Sequence, residues 1–281
     1  MTPTAYCNTN NKPIRIKDLS MNIARDWKHP EVLSDLADMR QQVPLVHCIT
    51  NIVVTGFTAN VLLALGASPA MIVAEEEAGE FAAMAQALLI NVGTLTQEVA
   101  RAMRIASTTA GKAGKPWVLD PVAVGVLDFR TRFATELLGL HPTIIRGNAS
   151  EILALSGAAG GGKGVDSTAS SNAAIDAART LARQTGATVA VSGKIDYITD
   201  GQTLIEVAGG DVLMTRVTGT GCSLGASMAA FLGAGIAPLR AATAASAIYA
   251  RAGEQARAAS QGTGSFAVAF LDALTLIGLP R

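Results

Sequence analysis

The sequence predicts an α/β fold, a single domain built on a largely parallel central sheet with helices on both faces. Two observations lead there. Short runs that are apolar along their whole length alternate with longer helical segments, and such strands belong to sheets covered on both sides. The 281 residues are also 49% apolar but only 4% aromatic, with 28 glycines, which suits small-residue helices packed closely on a sheet. Neither an internal repeat nor a clean linker divides residues 31–281, so they read as one domain. Residues 1–30 read as a polar N-terminal extension. Asn8-Thr9-Asn10-Asn11-Lys12-Pro13 interrupts any apolar core of the kind a secretory signal needs.

The elements follow in order. Pro69–Val73 reads as a strand, Glu77–Gln86 as a helix and Ala87–Val92 as a strand. Thr96 caps a helix that runs to Ala113, with Gly111 and Gly114 near its end. Trp117–Asp120 is a strand, Phe129–Leu138 a helix and Thr143–Arg146 a further strand. Helices Ala149–Leu155 and Ala173–Thr185 precede the strand Thr188–Ser192. Tyr197–Thr199, Asp200-Gly201 and Thr203–Ile205 carry a β-hairpin signal. Three helical segments beginning near Thr220, Leu239 and Ser265 close the chain. Gly157–Ser171, rich in Gly, Ala and Ser, reads as a surface loop.

Several function classes are disfavoured. Lys+Arg and Asp+Glu are 22 each, so no basic field invites a nucleic acid or an anionic membrane. Cys7, Cys48 and Cys222 are odd in number and lack metal-ligand spacing, which speaks against a disulfide framework and a zinc site and for a reducing cytoplasm. The apolar stretch Leu224–Leu239 is mostly Ala and Gly and too short to span a bilayer.

The chemistry concentrates in Thr218-Gly219-Thr220-Gly221-Cys222, which opens an apolar helix. Two glycines let the backbone approach a ligand, and the free N–H groups of a helix start suit a phosphate. Cys222 then falls in the first turn, where a thiol is acidified. A tight strand-to-helix turn with a buried Cys is the plainer reading of that segment. Ligands of parallel sheets gather beyond the carboxyl ends of the strands, where Asp120, Arg146 and Ser192 fall. Asn148 and Glu151 form either a capping pair or part of the site. Arg146, the carboxylates of Asp120 and Glu151 and the Gly-rich helix start together fit Mg²⁺ and a polyphosphate.

Two other signals weigh less. Gly157 to Lys163 matches a P-loop, but Gly164 lacks the hydroxyl that binds Mg²⁺, and the motif follows a helix instead of a strand. Adjacent His47 and Cys48 point to opposite faces of a strand, so they make no dyad, although His47 and Asn51 remain candidates for ligand contact.

Five ordered motifs carry a resemblance: Pro44-Leu45-Val46-His47-Cys48-Ile49-Thr50-Asn51, Ala64 to Met71, Asp120 to Gly125, Arg146 to Glu151, and Thr218 to Cys222. Over about residues 40–275 the chain resembles the hydroxyethylthiazole kinases, a thiamine-salvage family of the ribokinase-like superfamily. The resemblance implies transfer of the ATP γ-phosphate to the primary hydroxyl of 4-methyl-5-(2-hydroxyethyl)thiazole. It also implies Mg²⁺ and a homotrimer with active sites between subunits. By matching motif, Met71 and Gly219 would contact the thiazole, with Asn51 nearby. Arg146 and Ser192, where the family commonly has Thr, would contact ATP beside Asn148. Asp120 and Glu151 would attend the metal, and the N–H groups of Gly219, Thr220, Gly221 and Cys222 would cradle the γ-phosphate. Cys222 stands where most of the superfamily has an Asp base, so it is expected to orient the alcohol with weak base character. A pyrimidine-alcohol kinase, an ATP-dependent dehydratase and a non-catalytic binding protein on the same scaffold are the competing readings.

Overall fold

The computed structural model describes residues 22–157 and 169–279. Among these residues nine strands form one sheet: β1 (Asn22–Arg25), β2 (Leu45–Ile49), β3 (Ser68–Ala70), β4 (Ala87–Asn91), β5 (Trp117–Asp120), β6 (Ile144–Asn148), β7 (Thr188–Ser192), β8 (Ile195–Thr199) and β9 (Leu204–Ala208). Their order is β1-β9-β8-β7-β6-β5-β4-β2-β3. The pairs from β3 to β7 are parallel. β8 runs antiparallel to both β7 and β9, as the hairpin signal predicts, and β1 adds to β9 in parallel.

β1 falls inside the stretch read as an extension. Its sequence Asn-Ile-Ala-Arg has no strong strand pattern, and pairing with β9, about 180 residues downstream, makes it a strand. Residues 1–21 lie outside the described residues, as do 158–168, which hold most of the Gly-rich segment and the near-match to a P-loop.

Among the described residues, ten helices cover the sheet. α1 (Pro30–Gln42), α2 (Thr55–Leu65), α8 (Thr220–Gly233), α9 (Pro238–Ala259) and α10 (Thr263–Leu276) lie on one face. α3 (Glu75–Met84), α4 (Gln97–Lys112), α5 (Asp128–Leu138), α6 (Ala149–Leu155) and α7 (Ala169–Thr185) lie on the other. A 3₁₀ turn, Val212–Arg216, leads into α8. The period-2 alternation of the strands divides the core in two. Cys48, Leu89, Val118 and Ile144 join the first face, while Ile49, Leu88, Ile90, Leu119 and Ile145 join the second.

Several boundaries differ from the sequence reading; β6, for one, continues past Arg146 to Asn148. β3 stops at Ala70, so Met71 follows the strand. α3 starts two residues early because Glu75, Glu76 and Glu77 fill its first turn, where acidic side chains favour the helix dipole. α7 starts at Ala169, inside the segment read as loop. Arg40 joins elements far apart in sequence. Its guanidinium donates to the carbonyls of Leu65, Leu274 and Ile277 at 3.1, 2.7 and 2.6 Å, satisfying the ends of α2 and α10. Among the described residues, no helix is long and apolar enough to cross a membrane.

Candidate active site

Four neighbouring strands deliver polar groups to one edge of the sheet. Asn91 closes β4 and is paired in register with Asp120 at the end of β5; Asn148 closes β6 opposite Ser192 at the end of β7. Asp120 is fully buried. Its Oδ2 accepts from Asn91 Nδ2 at 2.8 Å and lies 3.6 Å from the Arg146 guanidinium, while its Oδ1 has no protein partner. Burial pushes the Asp120 carboxyl up to about 7; Arg146 opposes that rise and Glu151 adds to it. Arg146 donates from Nε and Nη2 to Ser192 Oγ at 3.1 and 2.9 Å. Burial alone would lower the guanidinium pKa, but Asp120, Glu151 and Asp196 outweigh it and hold the group above its ordinary value. Arg146 is therefore a fixed cation.

α8 starts over this edge. Its N-cap, Gly219, has φ of 102°, a left-handed conformation that favours glycine. A methyl group there would meet Phe57 at 2.9 Å and Val54 at 3.2 Å. No side chain caps the helix. The Thr220 N–H turns back to the Val217 carbonyl at 3.4 Å, whereas helix geometry leaves the N–H groups of Gly221 and Cys222 without an intrahelical acceptor. A methyl group on Gly221 would touch the Arg146 guanidinium at 3.4 Å, so fixed cation and free donors are adjacent.

Cys222 meets the opposite side of the helix start, where Asn51 Nδ2 donates to its sulfur at 3.3 Å. The expected acidification of the thiol is corrected here. Burial, then the Asp120 carboxylate, push Cys222 above its ordinary pKa, and Asn91, Arg146 and Asn51 only partly offset them. The helix-dipole argument treats the first turn as solvated, but the thiol is largely withdrawn from water.

Other sequence-derived candidates separate by role. The Thr220 hydroxyl is held by the carbonyls of Met214 and Val217, so it secures the 3₁₀ turn at the wall of the cleft. Asn148 and Glu151 form a capping box: Asn148 Oδ1 accepts from Glu151 N at 3.0 Å, and Glu151 Oε2 from Asn148 N at 2.8 Å. Glu151 Oε1 accepts from Ala123 N at 3.0 Å, which ties α6 to the loop after β5. His47 is buried and uncharged, its pKa lowered by burial. Its Nε2 bonds to the Ile72 carbonyl at 2.8 Å, which fixes the segment carrying Met71. His47 thus holds the backbone beside Met71.

A cavity of about 970 Å³ opens between β7, the β8–β9 hairpin, α8 and α9, with Arg146, Ser192 and Gly221 at one end. Val207, Met214 and Ala250 give it apolar lining, beside the polar Lys194, Asp196 and Asp211. A larger cavity of about 1260 Å³, between α1, α9 and α10, contains none of these groups. Sequence reasoning missed Lys194, Asp196 and Tyr249 in the cleft wall, and Asn91 beneath Asp120. Asn91 carries a readable signal, since a lone carboxamide closes an apolar strand in the same way that Asp120 closes β5. Among the described residues, no three His, Cys, Asp or Glu side chains cluster as a metal cage.

The sequence profile of the hydroxyethylthiazole kinase family matches residues 36–278. The chain belongs to that family. The hydroxyethylthiazole kinase of Leptospira interrogans is 59% identical over 259 residues, covering 92% of this chain and 98% of its own. That of Tolumonas auensis is 58% identical over 249 residues, covering 88% and 93%. The structure of hydroxyethylthiazole kinase from Pyrococcus horikoshii superposes with a TM-score of 0.81 at 41% identity, covering 88% of this chain and 93% of that one. A ribokinase-like superfamily protein of Enterococcus faecalis, 12% identical with a TM-score of 0.62, shares the fold over 90% of this chain and 95% of its own. Within the hydroxyethylthiazole kinase family, the uncapped start of α8 and the strand-end groups around it are where the chemistry is sought.

Proposed function

We propose that this chain transfers the γ-phosphate of ATP to the primary hydroxyl of 4-methyl-5-(2-hydroxyethyl)thiazole, a reaction of thiamine salvage. The observation that carries the reading is the open helix start flanked by a partly buried cation on one side and a thiol on the other. ATP occupies the 970 Å³ cavity, its base against the apolar wall and its phosphates toward Arg146 and Ser192. Asn148 stands beside them at the end of β6. The thiazole alcohol lies on the Cys222 side, near Asn51, Met71 and Gly219.

Phosphoryl transfer needs positioning and charge neutralisation more than covalent help. The Gly221 and Cys222 N–H groups receive the γ-phosphate oxygens, with Gly219 and Thr220 setting the backbone that aims them. Arg146 neutralises charge from the nucleotide side. With its pKa raised, the Cys222 thiol is mainly protonated at neutral pH, so it orients the alcohol and accepts little of its proton.

The residues present fit Mg²⁺. Asp120 Oδ1 is a buried hard oxygen with no protein partner, a position that a cation satisfies. Asp120 would hold the ion, with Glu151 assisting through water because both of its oxygens already accept backbone N–H groups. When bound, Mg²⁺ would neutralise the phosphate oxygens.

The enzyme works in the cytoplasm as a homotrimer with active sites between subunits. Ile52, Val53 and Val126, on loops after β2 and β5, are 79%, 66% and 81% exposed and supply apolar surface for a second subunit to cover. ADP release from MgATP with a panel of thiazole, pyrimidine and sugar alcohols tests the reading. Thiazole-dependent release is expected; release only with a pyrimidine or sugar alcohol would overturn it.

A further inference from the structure

A chain of side-chain carboxamides joins the two halves of the site. Asn51 Nδ2 donates to Cys222 Sγ at 3.3 Å and to Asn91 Oδ1 at 3.1 Å, which uses both of its hydrogens. Asn91 Nδ2 donates to Asp120 Oδ2 at 2.8 Å, and Asn91 Oδ1 also accepts from Gly93 N at 3.0 Å. Asn91 is fully buried at the end of an otherwise apolar strand. A strand end with no other task would be filled at lower desolvation cost by an apolar residue. The Gly93 bond is an ordinary side-chain turn, but the other two bonds reach groups of the site.

The polarity of the chain is fixed. The Gly93 N–H can only donate, so the oxygen of Asn91 faces Gly93 and Asn51 and its nitrogen faces Asp120. The nitrogen of Asn51 must then face Asn91, and its second hydrogen reaches Cys222. The arrangement occupies one lone pair of the sulfur and one oxygen of the carboxylate, leaving Asp120 Oδ1 free. A methyl group on Gly93 would come within 2.7 Å of Asn51 Cβ, so the carboxamide of Asn51 is also confined from that side.

We propose that Asn91 is a positioning residue for phosphoryl transfer, aiming the Cys222 thiol through Asn51 and turning the Asp120 carboxylate so that Oδ1 is the open oxygen. The proposal rests on the kinase reading above. Asn91 touches neither substrate; its effect reaches them through two neighbours.

Asn91→Ser is the informative variant. A serine oxygen at this position still takes the Gly93 N–H in a turn but is too short to span to Asn51 and Asp120. The expected result is a fall in kcat of about 30-fold or more, with KM for ATP and for the thiazole alcohol within about threefold. Combining it with Cys222→Ala should cost clearly less than the product of the single losses, because one acts partly through the other. In the ligand-free crystal structure of the variant, Asn51 Nδ2 should leave the Cys222 sulfur. Unchanged kcat, a loss confined to KM, or an Asn51 that keeps its contact with sulfur would each overturn the proposal. Asn91→Leu, similar in volume and without hydrogen bonds, is judged by the same readings if Asn91→Ser does not fold. A wild-type enzyme inactive on the thiazole alcohol would sink the kinase reading, and the Asn51 displacement would still judge the positioning geometry.

Discussion

α6 and α8 begin on the same edge of the sheet, yet they treat their first N–H groups in opposite ways. At α6, Asn148 and Glu151 close a reciprocal capping box. At α8 the N-cap is Gly219, which has no side chain to offer, and the N–H groups of Gly221 and Cys222 stay open. A capping side chain is worth about 1 kcal/mol to a helix, so α8 forgoes a common source of stability. What it keeps is a pair of donors with partial positive charge, held beside the partly buried guanidinium of Arg146, an arrangement that suits an anion. Both starts carry polar, small-residue sequences. The cap marks the α6 start as structural, and the open α8 start, beside Arg146, is the one proposed to be reactive.

The comparison can be broken at several points. Asp120→Asn should have the largest effect, lowering kcat about a thousandfold while the near-isosteric side chain keeps the fold, as read by ADP release and thermal unfolding together. Activity within tenfold of wild type would remove Asp120 from the site. Gly219→Ala forces a methyl group into Phe57 and a left-handed φ on alanine. It should cost about 1–3 kcal/mol in chemical denaturation and reduce kcat/KM about tenfold or more by tilting the start of α8. Cys222→Ala should lower kcat about 10- to 100-fold with little change in KM for ATP, as expected of a residue that orients the acceptor alcohol. If kcat is untouched, Cys222 neither orients nor assists. Similar small losses in Cys222→Ser and Cys222→Ala would leave orientation standing and remove the base role.

Asp120 also links stability to pH in the ligand-free protein. Its folded-state pKa, about 7, lies above the ordinary carboxylate value. Between roughly pH 4 and 7 the folded state therefore holds a proton that the unfolded state has lost, and stability falls as pH rises through that window. Asp120→Asn should flatten this part of the profile, gaining on wild type above pH 7 in thermal unfolding; parallel profiles would contradict the raised pKa. The smallest effect belongs to the capped helix. Asn148→Ala should cost about 1 kcal/mol of stability with kcat within about threefold. Glu151→Gln sharpens the contrast, since an assisting role toward Mg²⁺ predicts that more metal is needed for half-maximal activity, whereas a capping role alone predicts only loss of stability.

The ends of β5 and β7 were legible because those strands are apolar up to their last residue, so Asp120 and Ser192 could be placed on one edge before any coordinates, whereas β6 runs two residues past Arg146, read as its end, to Asn148. The hairpin was legible from Asp200-Gly201. β1 was not, because a polar four-residue strand at the end of the sheet owes its conformation to β9 and not to its own sequence. α2 offers no start signal either, since its N-cap is Val54 with no capping bond. Within the site, local rules describe Cys222 as a helix-start thiol, but its environment is set by burial and by Asp120, 102 positions earlier in the chain. Asn91 shows the same limit. Its type and place were visible, while its bonds to Asn51 and Asp120 depend on how β2, β4 and β5 align.

The central claim is that the transferring phosphoryl group sits on the open start of α8. A crystal structure with ADP, Mg²⁺, aluminium fluoride and the thiazole alcohol tests it most directly. Fluoride atoms are expected about 3 Å from the amide nitrogens of Gly221 and Cys222, with the alcohol oxygen on the Cys222 side. An aluminium fluoride group bound away from these amides, against the start of α6 or elsewhere in the cleft, would contradict it.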